Sequence, residues 1–133
     1  MRVLTGLIVI AVLLVLWDVT WWFGFGVSPV SPYALKMEVN RDDAPVIIDV
    51  RTPAEFELFH IPGAVNVPYP ASLAELALAA PDPSRPVVVV CMTGHRSPPV
   101  ARQMQQGGYT NVRNLTWGMV AWKLFGGDTE SGE

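Results

Sequence analysis

Apolar and polar positions divide this chain into two unlike parts. From Val3 to Trp17 (VLTGLIVIAVLLVLW) there is no charged residue, and Asp18 is the single charge as far as Val27. The run has no polar face, so it predicts a helix that is not lying on a soluble surface. At ~1.5 Å per residue it covers about 22 Å, short of a ~30 Å hydrocarbon core. Continuing through Val19 and Thr20 to Trp22 supplies the missing length. The expectation is one transmembrane helix through residues 3–22, inside an anchor segment 1–26. Asp18 would then lie near the far interface, with its carboxylate in reach of headgroups and water. Trp17, Trp21 and Trp22 would form an aromatic belt at that level. A cleaved secretory signal competes, with Arg2 as its positive start and Gly24-Phe25-Gly26 as the best small-x-small site, behind three bulky aromatics. A buried soluble helix is the third reading, but it needs a core on every side that the remaining residues are too few to build. Arg2 and the N-terminal amine lie close to the span, whereas Lys36 and Arg41 follow at a distance. That asymmetry leans towards a domain on the extracytoplasmic (periplasmic) side.

From Val27 the pattern changes to short apolar runs separated by prolines. Val27 to Pro32 (VSPVSP) reads as a linker. Ser31-Pro32 predicts an N-cap and a first helical position, opening a short helix to about Val39. Val46-Ile47-Ile48 is a continuous apolar, β-branched run, as in a strand buried on both faces. Thr52-Pro53-Ala54-Glu55 has the form of a capping box with proline at the favoured position, and its helix should end near Phe59. Pro62-Gly63 is a turn, and Ala64 to Val67 a short strand. Ser72-Leu73-Ala74-Glu75 is a second capping box, leading a helix that Pro81 stops. Val87 to Val90 is the strongest central-strand signal. Pro98 and Pro99 open a helix ended by Gly107 or Gly108, Val112 to Leu115 is a strand, and Met119 to Phe125 a last helix. Residues 128–133 are expected to be a flexible tail.

Strands and helices thus alternate, with no hairpin signal between strands. This predicts a single α/β domain over 27–127, a mostly parallel central sheet flanked by helices in three layers. Sites in such folds lie at the carboxyl ends of the strands. The segments leaving those ends are Asp49-Val50-Arg51, Asn66-Val67-Pro68 and Cys91 to Arg96.

Composition narrows the chemistry. The 133 residues carry a net charge of -3 with no basic cluster, which gives nucleic-acid binding no electrostatic support. One cysteine excludes an internal disulfide and a multi-cysteine metal site. His60 and His95 lack metal-ligand spacing, so neither metal nor cofactor is expected.

Cys91 follows the valine strand directly and precedes Met92-Thr93-Gly94-His95-Arg96-Ser97. Ser97-Pro98 reads as the N-cap and first position of a helix, so the thiol faces the positive end of a helix dipole and a curved row of backbone N–H groups. His95 and Arg96 add positive charge or donors, and each of these features favours the nucleophilic thiolate. Gly94 permits a positive φ that lets amides converge on an anion. Against this, an isolated cysteine ending a buried strand is ordinarily a packing residue. A packing cysteine, however, does not require Gly, His, Arg and a helix start immediately after it.

Cys-x-x-Gly-x-Arg-Ser after a buried strand resembles the active-site loop of the rhodanese family of sulfurtransferases. Ile47 to Phe56 (IIDVRTPAEF) is similar to that family's first motif and His60 to Pro68 (HIPGAVNVP) to its second. Gly108 to Val112 and Leu115 to Trp122 are similar to its C-terminal segment. The likeness runs from about Pro32 to Gly127, and one departure is Trp117, where the family commonly has a glycine. The resemblance implies a rhodanese-like fold and a ping-pong cycle. Cys91 would take sulfur from a small anion such as thiosulfate and pass it, as a persulfide, to cyanide, a thiol or a protein thiolate. Met92, Thr93, Gly94, His95, Arg96 and Ser97 would form the substrate cradle. Asp49, Arg51, Glu55 and His60 are expected only in support: an ion pair, a helix cap and a hydrogen-bonded turn residue.

Two other functions fit parts of this pattern. Cysteine phosphatases and arsenate reductases use a similar cradle but space it Cys-x5-Arg, whereas Met92 to His95 make this loop Cys-x4-Arg, one residue tighter. A non-catalytic rhodanese-like module, binding or regulating at the membrane, is the other.

Overall fold

The computed structural model describes residues 1–132. The first element is helix α1 (Arg2–Val19), which continues through one π-helical turn at Thr20–Gly24. Together they form a 23-residue helix long and apolar enough to cross a membrane. Its outer part is exposed, but its end is not free. Trp21 packs against the domain core, and Trp17 stands 6.3 Å, ring to ring, from His95. Both indoles therefore reach the domain, although Trp17 stays 41% exposed. Asp18, expected to reach headgroups and water, is buried and accepts a hydrogen bond from Trp117 Nε1 at 3.2 Å.

Beyond the helix, β1 (Ser28–Val30), β2 (Val46–Asp49), β3 (Val65–Asn66), β4 (Val87–Val90) and β5 (Val112–Leu115) form one five-stranded sheet in the order β1-β5-β4-β2-β3. Every pairing is parallel. Segment 27–32, read as a linker, thus contributes an edge strand. Pro29 lacks an N–H, which hides the strand in the sequence, but an edge position leaves that donor dispensable.

Helices α2 (Pro32–Glu38), α3 (Pro53–Leu58), α4 (Leu73–Ala79), α5 (Ser97–Gln106) and α6 (Gly118–Leu124) follow the strands in turn. The caps at Ser31, Thr52 and Ser72 form as the sequence predicts, and the last two are complete capping boxes with Glu55 and Glu75. Two cores result, one on each face of the sheet. Val87 and Val89 pack with Leu76 of α4 and Val100, Ala101 and Met104 of α5. Val88 and Val90 pack with Leu35 of α2 and Met119 and Trp122 of α6. All four valines are fully buried, and each such burial contributes about 1.5–3 kcal/mol. The same two-residue period puts the side chain of Cys91 on the α4/α5 face.

The tail expected to be flexible over 128–133 is tied down through residue 132; Glu133 lies outside the described residues. His60 and Glu130 exchange backbone hydrogen bonds at 2.9 Å, Ser131 Oγ donates to the Leu58 carbonyl, and Gly132 N–H donates to the Glu57 carbonyl. Trp122 Nε1 donates to the Asp128 carbonyl.

Candidate active site

From β2 the chain moves outward to β3, and from β4 it moves the other way to β5. The crossovers thus diverge between the carboxyl ends of β2 and β4, the place where open parallel sheets leave a crevice. Asp49 to Arg51 leave one of these ends and Cys91 the other.

Cys91 is fully buried, and its Sγ accepts a hydrogen bond from Gly94 N–H at 3.1 Å. The Ser97 hydroxyl lies 3.3 Å from the same sulfur and also donates to Asn114 Oδ1. Gly94 has φ +85°, and a Cβ there would stand 2.8 Å from Trp117 N, so only glycine lets the loop close on the sulfur. Behind the loop, the Met119 and Val120 N–H groups hold the Cys91 and Met92 carbonyls at 2.9 and 3.0 Å. Trp117 and Gly118 turn the chain to aim those amides. Both are left-handed, with φ +56° and +57°, and Trp117 is the only non-glycine residue with positive φ among the described residues.

Ser97 does not cap α5. The helix starts at Ser97 itself, Arg96 occupies the cap position without a side-chain bond, and the hydroxyl turns inward to the sulfur. Asn114, which orients that hydroxyl, escaped the sequence reading. It is a buried polar residue in β5 whose partner lies 17 positions away, so no local pattern marks it.

Arg96 is held by a bidentate ion pair, Nη2 to Glu55 Oε1 at 2.8 Å and Nη1 to Oε2 at 3.1 Å. Glu55 closes the capping box of α3 with its Oε2 and grips Arg96 at the same time. It is therefore more than the helix cap expected. The Arg96 hydrogen bond is the main reason the Glu55 carboxyl drops to a pKa of about 2, with the Thr52 bonds assisting. In turn Glu55 first, then the nearby Cys91 and Asp49, raise Arg96 above its already high value.

The other expected residues serve as framework or stand apart. Asp49 and Arg51 form a buried pair at 2.7 Å, and Arg51 also donates to the Phe59 carbonyl. Asn66 Nδ2 bridges the Asp49 and Arg51 carbonyls, fixing the end of β2. His95 Nδ1 pairs with Thr93 Oγ1 at 3.0 Å, and Met92 packs into the α2/α6 core. His60 bonds the Phe56 carbonyl and Glu130 Oε1 and stacks on the Phe56 ring. The cleft beside His60 is lined by none of the loop residues 91–97, so the structure does not bring this histidine to the sulfur.

The family model of the rhodanese-like domain matches residues 31–124, spanning this loop and the sheet that carries it. The chain belongs to the rhodanese-like domain family. Thiosulfate sulfurtransferase GlpE of Pseudomonas aeruginosa is 34% identical over 94 residues, covering 70% of this chain and 84% of that protein. "Adenylyltransferase and sulfurtransferase uba4" of Pyricularia oryzae is 32% identical over 108 residues, covering 67% of this chain. The chain spans only 22% of that larger protein. Among solved structures, the rhodanese-like domain of the Anabaena Alr3790 protein superposes with a TM-score of 0.69 at 27% identity, over 77% of this chain and 78% of that one. Both of these curated relatives are named sulfurtransferases.

Proposed function

We propose that this rhodanese-like domain is a membrane-anchored sulfurtransferase that carries sulfane sulfur on Cys91. The supporting observation is the convergence of the Gly94 N–H and the Ser97 hydroxyl on Sγ, with Arg96 clamped at the rim. In this reading the Cys91 thiolate attacks the outer sulfur of thiosulfate. A new S–S bond forms, the old one breaks, and sulfite departs with the bonding pair. The outer sulfur of the Cys91 persulfide is then attacked by an acceptor thiolate, and Cys91 leaves as the thiolate it began as. Arg96 meets the anionic donor, and the loop donors stabilise charge on sulfur. With no second cysteine in the chain, the sulfur passes to another molecule.

Full burial of Cys91 favours a second reading, a binding module without turnover. One experiment separates them. The purified full chain is incubated with thiosulfate, and its intact mass is measured. Catalysis requires a gain of one sulfur atom that Cys91→Ser abolishes; no gain with several donors leaves the binding module.

The anchoring half of the proposal has its own support in the 23-residue apolar helix. The protein should stay with membranes after alkaline carbonate extraction at its full, uncleaved mass. We assign the domain to the extracytoplasmic face, and a compartment-specific reporter fused at the C-terminus tests that assignment.

A further inference from the structure

We propose that the exposed apolar face of α6 docks onto the lipid bilayer beside α1, so that one wall of the Cys91 loop rests against the membrane. This inference rests on the anchoring proposed above. The helix meets the domain early: Trp17 is beside His95, and Asp18 is bonded to Trp117. From Arg2 to Trp17 the rise is about 22 Å, which leaves ~8 Å of a ~30 Å hydrocarbon core unspanned where the domain begins. For α1 to cross, this edge of the domain must enter that layer, and ~8 Å is within the 5–10 Å depth at which amphipathic elements settle.

The edge has the chemistry for it. On α6 and the residue after it, Val120 is 53%, Leu124 82% and Phe125 59% exposed. Lys123, the charged residue among them, points elsewhere, with its ammonium 4.1 Å from the centre of the Phe59 ring. Between this face and α1 lies a cleft of 540 Å³ lined by Leu14, Thr93, His95, Trp117, Leu124 and Phe125. Leu14 belongs to the anchor and Thr93 and His95 to the Cys91 loop, so the apolar surface is continuous from helix to site. The Asp18–Trp117 hydrogen bond gives both the carboxylate and the indole N–H a partner at the level where water thins out.

The test uses the full chain reconstituted in phosphatidylcholine nanodiscs, with benzoylphenylalanine replacing Leu7, Leu124 or Leu78 in separate variants. All three positions are exposed, so folding is not challenged. After irradiation, docking requires lipid adducts at Leu7 in α1 and at Leu124, with Leu78 on α4 at background. An adduct at Leu7 with none at Leu124 overturns the docking and leaves the anchor standing. Absence of an adduct at Leu7 removes the anchor and the docking together. A Leu124 crosslink to a second copy of the chain overturns bilayer docking in favour of self-association.

Discussion

The Ser97 hydroxyl stands between the Cys91 sulfur, 3.3 Å away, and the carboxamide oxygen of Asn114, to which it donates. A hydroxyl has one proton and cannot donate fully to both. With the proton on the Asn114 side, Gly94 N–H is the remaining donor to sulfur. A relay follows if charge on the sulfur draws that proton across, making Ser97 a second donor to Sγ. Ser97→Ala is expected to slow single-turnover sulfite release from thiosulfate about tenfold, the scale of one hydrogen bond of ~1.5 kcal/mol. Asn114→Asp should slow it more, because a carboxylate keeps the serine proton from the sulfur and adds repulsion. Equal rates in all three proteins would exclude the relay.

Arg96 depends on Glu55 for its position, and the dependence carries a pH signature. The folded Glu55 carboxyl has a pKa of about 2, below its ordinary value of 4.5. A lowered acid stabilises the fold above its unfolded pKa and loses that contribution as pH falls towards the folded one. The Glu55–Arg96 clasp should therefore be intact at pH 7 and lose its stabilising effect between about pH 4.5 and 2. Carboxyl NMR should place the Glu55 midpoint near 2, and Glu55→Gln should flatten the acid limb of stability against pH. At neutral pH, the same variant should raise KM for thiosulfate about tenfold with less effect on kcat, since a charge-assisted pair orienting Arg96 is lost.

Legibility in the sequence followed the range of each interaction. The capping boxes at Thr52/Glu55 and Ser72/Glu75 are contained within four residues and formed as read. The valine strand fixed the side of the sheet on which Cys91 lies, because alternation is a local property. Contacts between distant segments were not legible. Glu55 has the form of a helix cap in sequence, and its grip on Arg96 spans 41 positions. Asn114 gives no local signal at all. Ser97 looked like a cap because serine before proline usually is one, but the nearby sulfur and Asn114 took its hydroxyl. The end of the apolar helix hides its contact for the same reason: the partner of Asp18 is Trp117, 99 residues on.

Trp117 occupies a left-handed conformation, φ +56° and ψ +16°, at the start of α6. An L-residue pays about 1–2 kcal/mol there, and glycine does not. Trp117→Ala and Trp117→Gly both remove the indole and its bond to Asp18, so their difference isolates the backbone. The glycine variant is expected to be the more stable by about 1 kcal/mol in thermal unfolding of the detergent-solubilised chain. In a right-handed helix the order is the reverse. An alanine variant at least as stable as the glycine variant would mean that Trp117 is not strained.

Gly118 has nearly the same φ, +57°, but different surroundings. A Cβ at Gly118 would lie 2.2 Å from the Cys91 carbonyl oxygen and 2.7 Å from the Met92 carbonyl. Both neighbours are backbone, and both are held by the Met119 and Val120 amides, so neither can yield without moving the loop. Gly118→Ala should therefore cost well beyond the ~1 kcal/mol of the left-handed penalty alone. Displacing the Cys91 carbonyl also shifts Sγ relative to Gly94 and Ser97, so persulfide loading should fall in whatever fraction remains folded. Unfolding midpoints and the mass gain with thiosulfate, measured on the same preparation, test both parts. A loss no larger than the Trp117 alanine–glycine difference, with normal loading, would show that Gly118 serves backbone conformation alone and that the close approach to Cys91 is dispensable.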